Sequence, residues 1–233
     1  MKAKCLLLTL LMSMIVSSNV IAITVIDSNN WEQGLSATMT VDGKENTPGV
    51  VNRGGWVIYD LGEVVTINDV SWTSAGNGWT IASEGSFFVS ASDNPANGDW
   101  LKVVDFNFNL NRAQIINNAG RRVVFPTPQQ KRYLKWEIQS TGTNTVAEFR
   151  VNHPLVIYYT SHQWNQANPI SYAADLNPAT FTWDGGIPGF IILDLGSKPV
   201  AFEGLAFVSR KESQNYLMKD VKVSVSSTDN PAN

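Results

Sequence analysis

Aromatic and polar residues occur together in two glycine-rich stretches of the chain, and this combination is suited to binding a sugar. Arg53 precedes Gly54 and Gly55, and Asn77 and Trp79 stand in the run Gly-Asn-Gly-Trp. Sugars present hydroxyl groups and a weakly apolar C–H face, so their sites pair an exposed aromatic ring with hydrogen-bonding side chains. We expect Trp79 to stack on a sugar ring, with Asn77 and Arg53 as its polar partners. The alternative for Trp79 is packing within the core or its own loop.

Side chains that could carry catalysis are sparse. The two histidines of the chain, His153 and His162, lie in one short region, where a linker role is the simpler interpretation. No Gly-x-Ser-x-Gly, metalloprotease or phosphate-loop motif occurs. The carboxylates are scattered and do not indicate a glycosidase pair. We therefore expect no catalytic residue in this chain.

The first 22 residues have the composition of a secretory signal peptide. Lys2 and Lys4 precede the apolar run Cys5–Val16, and Ala22 supplies the small residue at a cleavage site. The apolar run is too short to span a bilayer. We expect a secreted or periplasmic protein with no integral membrane segment after cleavage.

Charge and cysteine content limit which partners the protein can have and how its fold can be stabilised. The formal net charge is −3, whereas recognition of nucleic acid needs a basic surface, so we expect no nucleic-acid partner. Hydrophobic residues make up 43% of the chain, enough for a packed core. Cys5 is the only cysteine and leaves with the signal peptide, so the fold must be held without disulfides.

We expect the protein to be a monomer.

Short apolar runs separated by Gly, Asn, Asp, Ser and Pro predict an all-β protein, an antiparallel β-sandwich. No segment has a sustained helical period, and we expect single helical turns only near Asn29–Gly34 and Pro95–Trp100. The predicted strands are Ile23–Asp27, Trp56–Leu61, Ile67–Ser74, Ser86–Ala91, Trp100–Phe108, Arg122–Phe125, Tyr133–Gln139, Ala147–Val151, Leu155–Thr160, Phe190–Leu195, Phe202–Ser209 and Val221–Ser226.

The sequence also repeats itself. Four ordered matches occur at offsets of 133 to 136 residues, which indicates a duplicated module. The first copy covers residues 23–153. The second covers residues 154–233 and is shorter than the first. We therefore expect a truncated second copy and a longer parent protein. The longest matched pairs are Trp56–Gly62 with Phe190–Gly196, and Val89–Asn97 with Val225–Asn233.

Several motifs follow one another in a characteristic order in the first copy. They are Asp42–Thr47, Tyr59–Gly62, Val89–Asp93, Trp100, Lys131–Lys135 and Val146–Phe149. This order resembles the factor V/VIII C-type (discoidin) domains and their bacterial relatives, the galactose-binding-like carbohydrate-binding modules. The resemblance implies a discoidin-like jelly-roll sandwich for each copy and an extracellular, non-catalytic carbohydrate-binding function.

The same resemblance implies a structural calcium site in the first copy. Its ligands would be the side chains of Asp42, Thr47 and Glu148 with the carbonyls of Lys44 and Ala147. Calcium takes about six to eight oxygen ligands in flexible geometry, which such a loop can supply. The alternative is that Asp42 and Thr47 only close a turn by bonding backbone amides.

The second copy carries a different set of candidate residues. The resemblance places a ligand-binding Arg after the strand that follows Asp-Leu-Gly, and Arg210 stands there, with Asn215 and Tyr216 in the same loop. The first copy has Ala75 at that position. The alternative for Arg210 is a solvated surface charge. Asp175, Asn177 and Thr180 match the ion loop of the first copy. The second copy has no counterpart of the closing Ala-Glu, so this set of ligands is incomplete.

Two functions remain open. The first is a non-catalytic module that binds extracellular carbohydrate, as an accessory part of a longer secreted glycan-active protein. The second is a structural or adhesion sandwich with no sugar site. A sandwich fold is compatible with both functions, so only the residues of its loops can distinguish them.

Overall fold

The computed structural model describes residues 22–44, 46–74, 80–108, 120–153, 156–160, 191–195 and 224. In this part of the chain the structure is all-β and antiparallel, as predicted. None of the described helices has the length and apolar character needed to cross a membrane. The strands are β1 Thr24–Trp31, β2 Gly49–Thr73, β3 Glu84–Ser90, β4 Trp100–Asn107, β5 Arg121–Ile138, β6 Thr143–Val146, β7 Glu148–Val151, β8 Val156–Thr160 and β9 Ile191–Asp194, and single 3-10 turns occur at Ala37–Val41 and Pro95–Asn97.

Seven of these strands form one sheet in which β2 is the centre. The strand order is β1-β2-β5-β3-β4, and the short strands β6 and β7 also pair with β2. The pairing of β2 with β5 runs from Trp56 opposite Glu137 to Trp72 opposite Arg121, with register shifts on the way. The remaining strands are attached to these two long strands. β1, β6 and β7 pair with β2, β3 pairs with β5, and β4 pairs with β3.

The sheet folds over on itself to make the predicted sandwich. Val51 and Trp72 lie near opposite ends of β2 and yet belong to one core cluster. An extended strand rises about 3.3 Å per residue, so a straight β2 would hold these two residues far apart. The register shifts between Asp60 and Val65 and between Ile67 and Asp69 mark where the strand bends.

Aromatic rings fill the space between the two layers. Trp72 and Trp136 are fully buried, with ring centroids 4.7 Å apart, and Phe87 contacts both rings. Tyr59 stacks on Phe149 at a centroid distance of 4.2 Å. The Trp72 Nε1–H donates to the Ala82 carbonyl at 3.0 Å, which satisfies its only polar atom. Packing of this kind stabilises a chain that has no disulfide to rely on.

Several sequence-based boundaries need correction. The helical turn expected at Asn29–Gly34 is wrong, because Asn29–Trp31 continues β1 and pairs with β2. The exposed polar side chains of this edge strand looked like a turn, and the 3-10 turn lies instead at Ala37–Val41. The turn predicted at Pro95–Trp100 is confirmed at Pro95–Asn97.

Four predicted strands are in fact two. Trp56–Leu61 and Ile67–Ser74 fall within β2 except for Ser74, and Arg122–Phe125 and Tyr133–Gln139 fall within β5 except for Gln139. The polar residues between the apolar runs mark bends rather than loops. The polar strand β6 was not predicted, and the strands expected at Phe202–Ser209 and Val221–Ser226 lie outside the described residues, apart from the single residue 224.

The pair β8–β9 repeats the register of β1 with β2. Thr24 is opposite Asp60 and Val156 is opposite Asp194. In both pairs a register shift follows two residues into the first strand, between Val25 and Asp27 in one and between Ile157 and Tyr159 in the other. Both strand pairs are antiparallel and bulge at the same place.

We expect the buried tryptophans to dominate stability. Trp72→Ala should lower the free energy of unfolding by about 3–5 kcal/mol, because it leaves a large cavity and an unpaired Ala82 carbonyl. Trp100→Ala, at a half-buried position on β4, is the matched control and should cost about 1 kcal/mol. Urea unfolding followed by far-UV circular dichroism measures both. Equal losses for the two variants would contradict a core centred on Trp72.

Candidate functional site

Arg53 is exposed to solvent at a bend within β2. The next residue, Gly54, has a left-handed φ of +79°. The Asn30 side-chain amide donates to the Arg53 carbonyl at 3.0 Å, so β1 fixes the backbone of this bend. A Cβ at Gly55 would collide with the side chain of Val51, which explains the second glycine. The bend is thus built to hold Arg53 at the surface.

The two ends of the loop 75–79 are fixed to one residue of β6. The Ser74 hydroxyl lies 3.1 Å from the hydroxyl of Thr145, and the Thr145 N–H donates to the Thr80 carbonyl at 2.7 Å. Asn77 and Trp79 themselves lie outside the described residues. Their loop nevertheless starts and ends at a defined point on the sheet.

The strand β6 places the described ends of this loop, Ser74 and Thr80, near Arg53. Thr143, two residues before Thr145, pairs with Asn52, and its hydroxyl lies 3.3 Å from the Asn52 side-chain oxygen. Two residues of strand rise about 7 Å, so the ends of the loop and the residue that precedes Arg53 are neighbours. Arg53 and the two described ends of the loop therefore lie in the same part of the sheet. Arg210, Asn215 and Tyr216 lie outside the described residues.

Polar residues around Arg53 were not singled out from the sequence. Asn30 bonds the Arg53 carbonyl, and Asn52, which precedes Arg53, contacts Thr143, so these side chains could bond a ligand beside Arg53. The pair Asn29-Asn30 directly before Trp31 was an available signal, since Asn30 adopts a left-handed φ of 64° that Asn tolerates better than most residues. For Asn52 and Thr143 only the strand pairing reveals the contact.

Three of the five predicted calcium ligands gather in one loop. One carboxylate oxygen of Asp42 accepts the Lys44 N–H at 2.9 Å, and the other accepts the Thr47 hydroxyl at 2.7 Å. The Thr47 hydroxyl also lies 3.1 Å from the Lys44 carbonyl oxygen. Asp42 and Lys44 are exposed, so the oxygens are accessible.

The other two predicted ligands lie where β7 begins. Ala147 and Glu148 are buried, and Ala147 N–H donates to the Thr73 carbonyl at 2.8 Å. The strand β7 packs against the 3-10 turn that ends directly before the Asp42 loop. Burial, with an added contribution from the charge of Glu148, raises the pKa of the Tyr59 hydroxyl, and its bond to Thr40 opposes this. Glu148 is therefore a buried carboxyl group near the same turn.

This donor set suits a hard cation. A carboxylate, a hydroxyl, a carbonyl and a second, buried carboxylate are oxygen ligands of the kind that calcium prefers. Within the described residues no group of three His, Cys, Asp or Glu side chains converges, so a cation here would depend on backbone and hydroxyl oxygens. The hydrogen bonds of Asp42 are also those of the predicted alternative, a closed turn. Both interpretations use the same atoms.

Two other acidic motif residues converge on Arg132. The Asp60 carboxylate accepts two bonds from the Arg132 guanidinium, at 2.7 and 2.8 Å. The Asp93 carboxylate accepts the Arg132 backbone N–H at 3.0 Å, and Asp93 has a left-handed φ of 57°. Motifs that are far apart in sequence are thus joined, and their role here is structural.

A profile of the F5/8 type C domain matches residues 17–150. The chain belongs to the F5/8 type C domain family. The match covers the seven-stranded sheet, the Arg53 bend, the Asp42 loop and the start of β7. This part of the chain therefore has the family predicted from its ordered motifs. No curated protein matches the sequence of the chain.

Solved structures similar to the chain include carbohydrate-binding modules. CpGH89CBM32-5 from Clostridium perfringens, in complex with GalNAc-β-1,3-galactose, is 16% identical, with a TM-score of 0.47 over 56% of this chain and 94% of that one. The family 32 module of C. perfringens NanJ, in complex with galactose, is 17% identical, with a TM-score of 0.44 over 55% and 98%. The family 32 module of AlyQ, in complex with 4,5-unsaturated mannuronic acid, is 23% identical, with a TM-score of 0.42 over 58% and 96%.

The pairing of Asp60 with Arg132 predicts a pH dependence of stability. The Arg132 hydrogen bonds hold the pKa of the Asp60 carboxyl below its ordinary value of 3.8, while partial burial opposes them. Because the folded-state pKa is the lower one, this stabilisation is present above the unfolded value and is lost as the pH falls through the folded value. Asp60→Asn should therefore lower the urea midpoint near neutral pH, and its effect should shrink below about pH 4.

Unfolding curves at a series of pH values, followed by circular dichroism, measure this effect. Asp27→Asn is the matched control, because Asp27 is exposed and, among the described residues, its carboxylate accepts a bond from the neighbouring Ser28 amide alone. That variant should change the midpoint little at any pH. A deficit of Asp60→Asn that persisted unchanged into strong acid would contradict the ionic role.

Proposed function

We propose that the first module binds extracellular carbohydrate without catalysing a reaction, at the edge of the sheet formed by Arg53 and the loop 75–79. The observation that carries the proposal is the shared anchoring of these two parts on β6, through Thr143 and Thr145. Membership of the F5/8 type C family supports it, because the module is then a sandwich with loops presented at its edge. The solved complexes reported above suggest which sugars to test first.

The chemistry of the proposed site suits a neutral or acidic sugar. Arg53 offers a planar fork of N–H donors that can bond two oxygens of a sugar, or a carboxylate where the sugar carries one. Trp79 would supply a ring for the apolar face, and Asn77 one donor and one acceptor group. The exposed position of Arg53 leaves its guanidinium available to a ligand.

We further propose that calcium binds between the Asp42 loop and the start of β7. Asp42, Thr47 and the Lys44 carbonyl would hold the ion from one side, with Glu148 and the Ala147 carbonyl from the other. The ion would tie the loop to the sheet and compensate the charge of the buried Glu148. Its role is structural, since it lies on different segments from Arg53.

The second copy is also a proposal. The common register and common bulge of the pairs β1–β2 and β8–β9 support it, together with the matched motifs along the sequence. In this copy Arg210, Asn215 and Tyr216 would form the binding loop. The residues 1–22 would direct export, so that the protein acts outside the cytoplasm as an accessory part of a longer glycan-active protein.

Sugar binding by the full chain tests the main proposal. Galactose, GalNAc-β-1,3-galactose and an unsaturated uronic acid, followed by a broad glycan array, are the probes. We expect Trp79→Ala to weaken binding by about tenfold, because a stacking contact is lost. Arg53→Ala should also weaken binding, while its unfolding midpoint stays that of the parent.

The matched control is Lys102→Ala, which removes an exposed cation from β4. It should bind like the parent, which separates a local contact from a general loss of positive charge. Parent-like binding by both Trp79→Ala and Arg53→Ala would refute this site. The absence of any ligand on a broad array would favour the structural or adhesion alternative.

Calcium binding can be tested separately from sugar binding. Calcium should raise the thermal midpoint of the chelator-treated chain, because a ligand that binds only the folded state stabilises it. Asp42→Asn and Glu148→Gln should each reduce that rise, and Asp105→Asn, which alters an exposed carboxylate on β4, should not. Differential scanning calorimetry with and without calcium measures the shift. A midpoint that did not respond to calcium would leave the closed turn as the correct interpretation.

A further inference from the structure

A polar row on the outer side of β2 is buried, although it faces away from the core. Val70 and Trp72 belong to the core, so Asp69 and Ser71, which alternate with them, face the opposite side of the sheet. Their exposed fractions are nevertheless only 6% and 2%. A sheet face open to water would leave such side chains far more exposed. Other groups therefore cover Asp69 and Ser71, whereas Val124, which pairs with Asp69 on the same face, is 44% exposed.

The contacts of Arg122 show that Asp194 is one of the groups near this face. Arg122 pairs with Ser71 across β2 and β5, and its neighbour Val123 belongs to the core, so Arg122 also faces outward. Its Nη1–H donates to Asp69 at 2.8 Å, and its Nε–H donates to Asp194 at 3.1 Å. Asp194 is the last residue of β9, which lies beyond the first module. A single buried guanidinium therefore bridges a carboxylate of each part of the chain.

The connection between the two parts is short and firmly held at its start. The Asn152 backbone N–H donates to the Asp69 carbonyl at 3.0 Å, and its side chain accepts from the Asn68 N–H at 2.8 Å and donates to the Thr66 carbonyl at 2.7 Å. Asn152 has a left-handed φ of 54°, which turns the chain sharply. The sequence then reaches β8 at Val156, and β8 contacts β5.

The charges of this contact favour a docked arrangement. The Arg122 side chain is only 4% exposed, so its charge needs partners close by. Asp69 supplies one from the same module. Burial raises the pKa of the Asp69 carboxyl, with the nearby Asp194 adding to the rise and Arg122 opposing it. The pair Arg122–Asp194 is thus a charge-assisted bond across two parts of one chain, in a site partly removed from water.

We propose that the outer face of β2 and β5 around Arg122 is a docking surface for the segment after residue 153, and that the bond between Arg122 and Asp194 holds the two parts in one fixed orientation. The occupant is this chain's own second part, represented by β8 and β9. The inference does not depend on sugar binding. It assigns to Asp194, the counterpart of Asp60 in the repeat, a partner in the first module.

Thiol labelling of the full chain tests this docking. In a Cys5→Ser background, Ser71→Cys places the chain's single thiol on the buried face, and Leu101→Cys places one at a position that is 57% exposed. We expect the thiol at position 71 to react at least about tenfold more slowly, because it is reached only when the covering segment opens. Asp194→Asn should remove most of that protection, and Asp105→Asn, the charge-matched control, should keep it.

Two further variants separate the ion pair from a general loss of structure. In an Arg122→Gln background, Asp194→Asn should accelerate labelling little further, because the two residues act as one pair. Hydrogen exchange in residues 156–160 should increase in the single variant Asp194→Asn and stay at the parent's rate in Asp105→Asn. Equal labelling of the thiols at positions 71 and 101 would refute the covered face. Unchanged protection in Asp194→Asn, or additive effects with Arg122→Gln, would refute the ion pair as the link.

Discussion

The pairing of β2 with β5 is the interaction on which the other parts of the molecule depend. These two strands bend together, and both ends of their ladder contribute to one aromatic core around Trp72 and Trp136. Every further strand of the sheet is attached to one of them or to their neighbour β3. Because the chain has no disulfide, this pairing and the burial that it permits hold the loop-bearing edges in place. The pairing of β2 with β5 thereby fixes the positions of the Arg53 bend, the ends of the loop 75–79 and the Asp42 loop.

Two arginines of β5 use the same kind of partner in different ways. Arg132 bonds Asp60 within the first module, where both side chains keep some contact with water. Arg122 lies deeper and is shared between Asp69 and Asp194. Asp60 and Asp194 each precede a Leu-Gly pair in the sequence, and each bonds an arginine of β5.

The sequence allowed the fold class to be predicted, because apolar runs of strand length and turn residues are local signals. It did not reveal that Asp60 and Ile67 belong to one bent strand, since the polar residues at a bend look like those of a loop. The strand β6 was missed because Thr143–Val146 is mainly polar and is held by pairing with β2. At the site, residue types suggested Arg53, but the contact of Asn30 with its backbone depends on strand pairing, which no local pattern encodes.

The burial around Arg122 has a practical consequence for producing the first module by itself. A polypeptide ended after residue 153 would keep all seven strands of the main sheet, and by sequence motifs it would look complete. If β8 and β9 dock as proposed, it would also expose the Arg122 guanidinium, the Asp69 carboxylate and the Ser71 hydroxyl. Such a fragment would present a new charged face to solvent and to other copies of itself. On the proposed docking, a fragment for expression should extend beyond Asp194, although the family match ends at residue 150.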